Sequence, residues 1–331
     1  MQFTRQNIGQ AAQKERIEAY LILLISSTLY AGNVIAGKLI ANDVPSAGLS
    51  AVRGILGLMI IVPLTWSRLK ISTRPNRKEM LQLLVLGFFG ITLAYLTFIV
   101  GMKYSSGTNA SIIAATLPAL TNSLLVIGFK TKLNKLQFWG IATSFLGLLI
   151  VFTKGSIHHL LTLNLGLGDI ILLANVLFMA FFYVLSQRIM KKLSSIVTSV
   201  YALAFGTFLL IPMGVWQLVS APWHINFYKL LIIIYMGCFV TGFAFFLNLK
   251  GINLIGSGRA AIFSNLQPVL SIVLSALILG ESLAIYHWVG FLLVISGIVL
   301  SLAKPEQLLK EPCGNEISPA TAQGEELKST L

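Results

Sequence analysis

Charged side chains are scarce in this sequence. Asp, Glu, Lys and Arg together make up 11% of the 331 residues, whereas about a quarter is usual in a soluble domain. Hydrophobic residues make up 56%, and the mean hydropathy is +0.84. So few polar side chains could not cover a soluble core of this size. The composition therefore excludes an ordinary soluble domain and indicates a membrane protein.

Acidic residues are the scarcer kind of charge, and the formal net charge is +13. A strong positive charge can indicate a nucleic-acid-binding protein, but here the basic residues lie in short runs between apolar stretches. The sequence has no zinc-finger spacing, no arginine-rich arm and no glycine-rich phosphate loop. We therefore expect no nucleic-acid partner and no ATP-driven activity from this chain.

Residues that build disulfide frameworks or catalytic sites are also few. Cys238 lies in an apolar stretch and Cys313 in a polar C-terminal segment, so a disulfide framework is not expected. His158 and His159 are adjacent without a nearby carboxylate, and the remaining histidines are isolated. The sequence contains no zinc motif and no acyl-transfer pair. We expect neither an enzyme nor a cofactor or metal ion.

Long apolar stretches are what the sequence does contain. Ten of them have the length of a membrane-spanning helix, about 20 residues, and their Leu- and Ile-rich character favours helices over barrel strands. A polar segment without a cleavage signal, 1–16, precedes the first, and a segment with several prolines and glutamates, 304–331, follows the last. We expect the latter segment to be disordered. The predicted spans are 17–41, 46–66, 78–101, 106–129, 134–153, 166–190, 195–219, 227–250, 256–279 and 284–303.

The ten stretches form an internal repeat. Residues 78–151 overlay residues 228–301 without a gap. We therefore predict two five-span halves, 17–153 and 166–303, joined by an outer loop at 154–165. Small residues and prolines coincide across the overlay: Gly87 with Gly237, Ala94 with Ala244, Gly101 with Gly251, Pro118 with Pro268, Gly140 with Gly290 and Gly147 with Gly297.

Basic residues orient these halves in the membrane. One set of loops carries most of them, whereas the opposite loops carry Lys103, Lys154 and Lys229. By the positive-inside rule, both termini are cytoplasmic. Because each half has an odd number of spans, the second half starts on the opposite side. This predicts an all-α membrane protein of ten transmembrane helices in two five-helix repeats of inverted topology. The cytoplasmic loops carry Arg68, Lys70, Arg74, Arg77, Lys78, Lys130, Lys132, Lys135, Arg188, Lys191, Lys192 and Lys250.

Several motifs, taken with the repeat, resemble the drug/metabolite transporter superfamily of the EamA type over about 17–303. The first half departs from the family pattern at Lys130-Thr131, where Gly-Glu is common. The matching motifs are Tyr30-Ala31-Gly32-Asn33 followed by Lys38, Pro45 with Arg53, the segment from Gly101 to Gly107 running on to Pro118, Gly251-Ile252-Asn253-Leu254, Asn265, Pro268, Leu279-Gly280-Glu281 and Trp288.

The resemblance implies a secondary transporter in the cell (inner) membrane of a bacterium, with a small-molecule substrate and membrane lipid as its partners. It implies export of amino acids, related metabolites or amphipathic compounds by alternating access. The residues themselves also allow an alternative, an anion or phosphometabolite exchanger that uses Arg53 and Lys38. The short loops leave no room for a scaffold function.

Prolines at matching positions of the two halves indicate where a substrate cavity would lie. Pro118 and Pro268 each remove one backbone hydrogen bond inside a span. Polar residues flank both of them, with Thr116 before the first and Asn265 and Gln267 before the second. We predict that these two spans line a cavity, and a packing kink in each helix is the alternative.

Further polar and aromatic residues inside spans are candidates for the same cavity. Asn33 and Asn175 either contact substrate or form hydrogen bonds between helices. Tyr95 overlays Phe245, and together with Tyr183 these rings form either aromatic walls or ordinary packing. Aromatic walls suit an amphipathic organic substrate better than a bare ion.

Arg53 is the most costly residue to bury, because it lies about 10 Å inside the second span. No Asp or Glu lies inside any predicted span. Arg53 therefore anchors the structure through carbonyls, Asp43 or Glu281, or it binds an anionic group of the substrate. Lys38 and Glu281 are gating candidates, with snorkelling and helix capping as the alternatives. The missing carboxylates favour facilitated diffusion, exchange or coupling through the substrate's own charge over a proton- or sodium-driven pump.

Overall fold

The structure, a computed structural model, describes residues 2–40, 43–72, 74–105, 110, 113–129, 134–156, 166–220, 223, 225–279 and 284–302. Helices make up most of this part of the chain, and it contains no strand. The predicted C-terminal segment 304–331, most of the predicted linker and the gating candidate Glu281 lie outside the described residues. The side chain of Lys38 also lies outside them.

The described residues form thirteen α-helices, three of which are connected to the next without a loop. A π-helical segment, Phe88–Leu93, joins α3 to α4, and a second, Tyr235–Ala244, joins α9 to α10. A 3-10 turn, Phe263–Asn265, joins α11 to α12. The helices are α1 (Gln2–Ile40), α2 (Ser46–Ile71), α3 (Arg77–Gly87), α4 (Ala94–Tyr104), α5 (Leu117–Phe129), α6 (Lys135–Phe152), α7 (Leu167–Ile189), α8 (Ser195–Ser220), α9 (Phe227–Ile234), α10 (Phe245–Ile255), α11 (Ser257–Ile262), α12 (Leu266–Leu279) and α13 (Ile285–Leu302).

Eight helical segments in the described part of the chain are long and apolar enough to cross a membrane. They correspond to the predicted spans other than 106–129 and 256–279. Helix α1 begins at Gln2, ahead of the first apolar stretch, so residues 2–16 of the polar segment continue the first span as helix.

The other two predicted spans are interrupted just before their prolines. The chain turns at Ala115 and Thr116 ahead of Pro118, and the 3-10 turn lies ahead of Pro268. Proline has no N–H group, and its ring clashes with the carbonyl four residues earlier, so a continuous helix is not favoured through either site. Both prolines fall in the first turn of a new helix, α5 or α12, where a missing N–H costs nothing.

The start of α3 and the start of α9 show the internal repeat in local structure. Asn76 caps α3 by accepting a hydrogen bond from the backbone N–H of Glu79 at 2.9 Å. Asn226, its counterpart in the overlay continued by two residues, caps α9 by accepting from the N–H of Lys229 at 2.9 Å. An asparagine cap satisfies an N–H group that the helix itself leaves unpaired. Both halves therefore begin this span in the same way.

Glycines bring α6 and α13 into backbone contact. A Cβ atom on Gly140 would lie 2.5 Å from the carbonyl oxygen of Gly297, and one on Gly147 would lie 2.7 Å from that of Gly290. Gly140 and Gly290 are counterparts in the repeat, as are Gly147 and Gly297. Gly140 therefore contacts the counterpart of Gly147, and Gly147 contacts the counterpart of Gly140. The order of the contacts is reversed along the two helices, so α6 and α13 run antiparallel.

A second pair of contacts repeats this exchange of partners. Gly87 packs against Gly206, and Gly237, the counterpart of Gly87, packs against Leu56. Leu56 and Gly206 match each other when the register of the overlay is continued to earlier residues. A contact between a residue of the first half and one of the second half is therefore repeated by their counterparts, each now in the opposite half.

Replacing Gly147 by alanine should destabilise the protein, because the added methyl group would meet the carbonyl of Gly290. Overpacking of this kind costs about 1–3 kcal/mol, and the midpoint of thermal unfolding in detergent should fall. Gly128→Ala is the matched control, since no atom lies within 4 Å of a Cβ at that position. Equal midpoints for the two variants would contradict the close contact of α6 with α13.

Candidate functional site

A cavity of about 700 Å³ lies between the helices. Residues from α1, α2, α4, α7, α10 and α12 form most of its wall, and Lys154, Tyr286 and His287 also line it. This volume is in the range of sites that hold a small organic molecule. The packing of the spans therefore leaves a space of the right size for a metabolite inside the helical bundle.

Most of the predicted site residues lie around this one cavity, and three do not. Thr116, Pro118 and Asn265 are not among the described residues that line it. Of the two matching prolines, Pro268 lines the cavity, whereas Pro118 does not. In the first half, Leu117, the residue before Pro118, lines it instead. The predicted residues that line the cavity are Asn33, Arg53, Tyr95, Asn175, Tyr183, Phe245, Gln267 and Pro268.

The polar residues near Pro118 hold helices together instead. The Asn122 amide donates to the carbonyl of Pro118 at 2.8 Å and to that of Gly258 at 3.3 Å, and it accepts from the Gln137 amide at 2.7 Å. Asn265 donates to the Ser144 hydroxyl at 2.9 Å. These bonds connect α5, α6 and the α11–α12 segment, which is a structural use of polar groups inside a membrane span.

Arg53 is almost fully buried, with 2% of its surface exposed. Its Nε donates to the Thr241 hydroxyl at 3.3 Å, and its Cζ lies 4.8 Å from the centre of the Tyr95 ring. Tyr95 thus provides a cation–π contact. Among the described residues, no carboxylate lies within 4.0 Å of Arg53, and Asp43 pairs with Lys229 at 3.1 Å.

Arg53 also lines the cavity. In the described part of the chain, Nε is the one nitrogen of this group that donates a hydrogen bond. Both Nη groups therefore remain for a ligand or for water. A planar fork of this kind matches a carboxylate or phosphate through two parallel hydrogen bonds.

Asn33 offers the cavity a second unsatisfied polar group. Its side chain is 8% exposed, and its Oδ1 atom accepts no hydrogen bond from any described residue. A buried acceptor left without a donor costs about 1–3 kcal/mol. Asn33 lines the cavity, but its Oδ1 atom is itself buried, so a donor in the cavity would reach this oxygen only after the amide side chain turns.

Other cavity residues are already paired within the protein. The Asn175 amide donates to the carbonyl of Ala94 at 2.7 Å and to the Thr97 hydroxyl at 3.0 Å, which joins α7 to α4. Asn248 donates to the Tyr183 hydroxyl at 3.0 Å. Asn175 therefore makes the helix-to-helix bonds that were the alternative to substrate contact.

The sequence patterns did not single out Asn248, Phe182 or Thr241. Asn248 follows Phe245 by one helical turn, so the same-face spacing of three residues could have identified it. The Phe182 ring lies 5.6 Å from the Phe245 ring and forms an aromatic wall with it. Thr241 has no such signal, because its contact with Arg53 depends on how α2 packs against a distant segment.

Membrane-length helices around a cavity with an unpaired cation place this protein in the class of integral, multi-pass membrane proteins that move small molecules. A model of the EamA-like transporter family matches residues 17–153 and 166–303. The chain therefore belongs to the EamA-like transporter family, as its resemblance to the drug/metabolite transporters predicted. The family indicates a transporter rather than an enzyme.

Proteins that are similar to this chain over nearly their whole length are described as transporters. The uncharacterized transporter YetK of Bacillus subtilis is 25% identical over 93% of this chain and 94% of its own. YyaM of the same organism is 28% identical, over 84% of this chain and 92% of its own. The uncharacterized inner membrane transporter YicL of Salmonella typhimurium is 25% identical, over 85% and 93%.

A solved structure named "Crystal structure of protein" has the same fold. It superposes with a TM-score of 0.69 at 16% identity and covers 90% of this chain and 99% of that one. At this identity the likeness concerns the fold alone.

A cysteine in place of Ser264 should react with a water-borne thiol reagent, because Ser264 lines the cavity. Ser144→Cys is the matched control, since Ser144 is 0% exposed. In purified protein whose native cysteines are replaced by alanine, an anionic methanethiosulfonate should modify the control at least about ten times more slowly, because it needs local opening. Modification of the Ser264→Cys variant as slow as that of the control would mean that the cavity is not filled with water.

Proposed function

We propose that the protein is a ten-span secondary transporter that exports amino acids, related metabolites or amphipathic compounds by alternating access. In this proposal, α5 and the α11–α12 segment are the fourth and ninth spans, and 17–153 and 166–303 are two repeats of inverted topology. The exchanged contacts of the glycine pairs support the inversion, since a twofold axis in the membrane plane produces antiparallel counterparts.

The orientation follows the distribution of basic residues. With the termini in the cytoplasm, the segments 1–16 and 304–331 are cytoplasmic and the 154–165 linker is outside. Lys154, Tyr286 and His287, which line the cavity, then lie toward the outer face. Toward the cytoplasmic face, Gln187 accepts hydrogen bonds from the backbone and hydroxyl of Ser257 and joins α7 to α11, and we infer that these contacts close that side. This arrangement corresponds to an outward-open state in the cell (inner) membrane.

The main support for a substrate with an anionic group is that Arg53 has no carboxylate partner among the described residues. A buried guanidinium group needs an anionic or carbonyl partner, and the described residues supply no carboxylate. An amino acid would bring a carboxylate to the Nη groups of Arg53 and an ammonium donor to Asn33 Oδ1. The rings of Phe182 and Phe245 would face its side chain.

An anion or phosphometabolite exchanger is the second candidate. Arg53 and Lys154 both line the cavity, and no Asp or Glu is among its described lining residues. A phosphate group carries more charge than a carboxylate and would gain more from this field. The two candidates differ in whether an ammonium group on the substrate is needed.

The absence of acidic groups from the described cavity wall also bears on coupling. Proton- and sodium-driven carriers commonly use an intramembrane carboxylate as the coupling site. We therefore infer facilitated diffusion, exchange, or coupling through the charge of the substrate. Uptake into proteoliposomes that depends strictly on a pH gradient would contradict this inference.

Arg53→Gln should strongly reduce the stabilisation of the protein by anionic substrates. Thermal-shift measurements would compare L-amino acids, their carboxamides, glycerol 3-phosphate and cationic drugs, followed by flux measurements with any compound that stabilises. Loss of a charge-assisted hydrogen bond, about 1.5–3 kcal/mol, predicts binding about 10- to 100-fold weaker.

Arg68→Gln is the control for the loss of a charge, because Arg68 is exposed near the end of the same helix. If Arg53→Gln is still stabilised fully by the amino acids and not at all by their carboxamides, Arg53 does not bind the carboxylate. Stabilisation by amino acids but not by glycerol 3-phosphate would favour the first candidate over the second.

A further inference from the structure

The π-helical segment Tyr235–Ala244 controls the orientation of Thr241. The Thr241 hydroxyl donates to the carbonyl of Met236 at 2.9 Å, five residues earlier. Thr241 is 0% exposed. Because the single hydroxyl proton is used in this bond, the oxygen can only accept from its other neighbours. Its further partners are the Nε–H of Arg53 and the Tyr95 hydroxyl.

Glycine allows α2 to approach this segment closely enough for that bond. A Cβ atom on Gly57 would lie 2.9 Å from Thr241 Cγ2 and 3.1 Å from the backbone nitrogen of Gly242. Arg53 lies one helical turn before Gly57 and on the same face of α2. The backbone contact therefore places the Arg53 side chain beside Thr241 across the two halves of the chain.

Tyr95 supplies a second restraint on the guanidinium group. The guanidinium carbon lies over the Tyr95 ring, 4.8 Å from its centre, while Thr241 holds the Nε atom. A guanidinium group held by these two contacts has less freedom in the direction of its two Nη groups. Defined direction raises affinity, because less conformational entropy is lost when the ligand binds.

We infer that Thr241 is the positioning residue for Arg53, and that it sets how well the cavity distinguishes an anionic ligand from its neutral analogue. The second clause rests on the proposed role of Arg53 in substrate binding, whereas the first does not. Thr241 itself has no hydroxyl proton left to offer a ligand.

Thr241→Val tests this inference, because valine has nearly the same shape but no hydroxyl. Thr241→Ser is the conservative rescue, since serine keeps the donor and the acceptor. Thr92→Val is the matched control: Thr92 is a buried threonine of the other π-helical segment, and its hydroxyl donates to the carbonyl of Gly206 at 3.0 Å. If Thr241→Val does not fold, Thr241→Ala removes the same hydroxyl without adding atoms.

The first readout needs no ligand. In protein labelled with ¹⁵N-arginine, the Nε–Hε signal of Arg53 is identified by its absence in Arg53→Gln. We expect this signal to shift and to exchange with water at least about ten times faster in Thr241→Val. It should stay as in the native protein in Thr241→Ser and Thr92→Val.

The second readout uses L-phenylalanine and L-phenylalaninamide, L-leucine and L-leucinamide, and glycerol 3-phosphate and glycerol as paired probes. For a pair that the native protein distinguishes, the preference for the anionic member should fall about three- to tenfold in Thr241→Val, as expected for one hydrogen bond. Thr241→Ser should retain it.

The possible failures are distinguishable. An unchanged Arg53 signal in Thr241→Val, or a changed one in Thr241→Ser, would overturn the positioning role. A changed signal in Thr241→Val, in a native protein that distinguishes none of the pairs, would support the positioning of Arg53 and count against the proposed anion binding. A lost preference in Thr92→Val would mean that packing, and not the bond to Arg53, sets the selectivity.

Discussion

The burial of Arg53 inside a membrane span is the constraint on which the site depends. A cation at this depth must be stabilised by protein groups, water or a ligand. Thr241 and Tyr95 supply part of that stabilisation, through a hydrogen bond to Nε and a cation–π contact. Arg53 also lines the cavity, and in the proposed function the rest of its stabilisation comes from water or from an anionic group of the substrate.

Close contact between backbones makes this arrangement possible. Lipid chains are as apolar as leucine, so burial of apolar surface does not drive helices together in a membrane, and packing must do so. Gly57 brings α2 against the segment that contains Thr241, and Gly140 and Gly147 bring α6 against α13. The glycines thus determine which polar groups can meet across the two halves.

The length and apolarity of the spans were predictable because the bilayer demands them. Asn33 and Arg53 were predictable as cavity residues because an unpaired polar group inside a span is costly. Asn265 was not, since a residue near a helix break faces a direction that depends on the local turn, and here it faces Ser144. The π-helical segments and Thr241 leave no periodic pattern, because they arise from contacts between distant parts of the chain.

The most direct test of the central claim is the structure of the protein with a transported substrate bound. We expect an anionic group of the substrate within about 3 Å of the Arg53 Nη atoms, with the Thr241 and Tyr95 contacts unchanged. A substrate elsewhere in the cavity, with Arg53 bonded to protein oxygens on both Nη atoms, would contradict the claim.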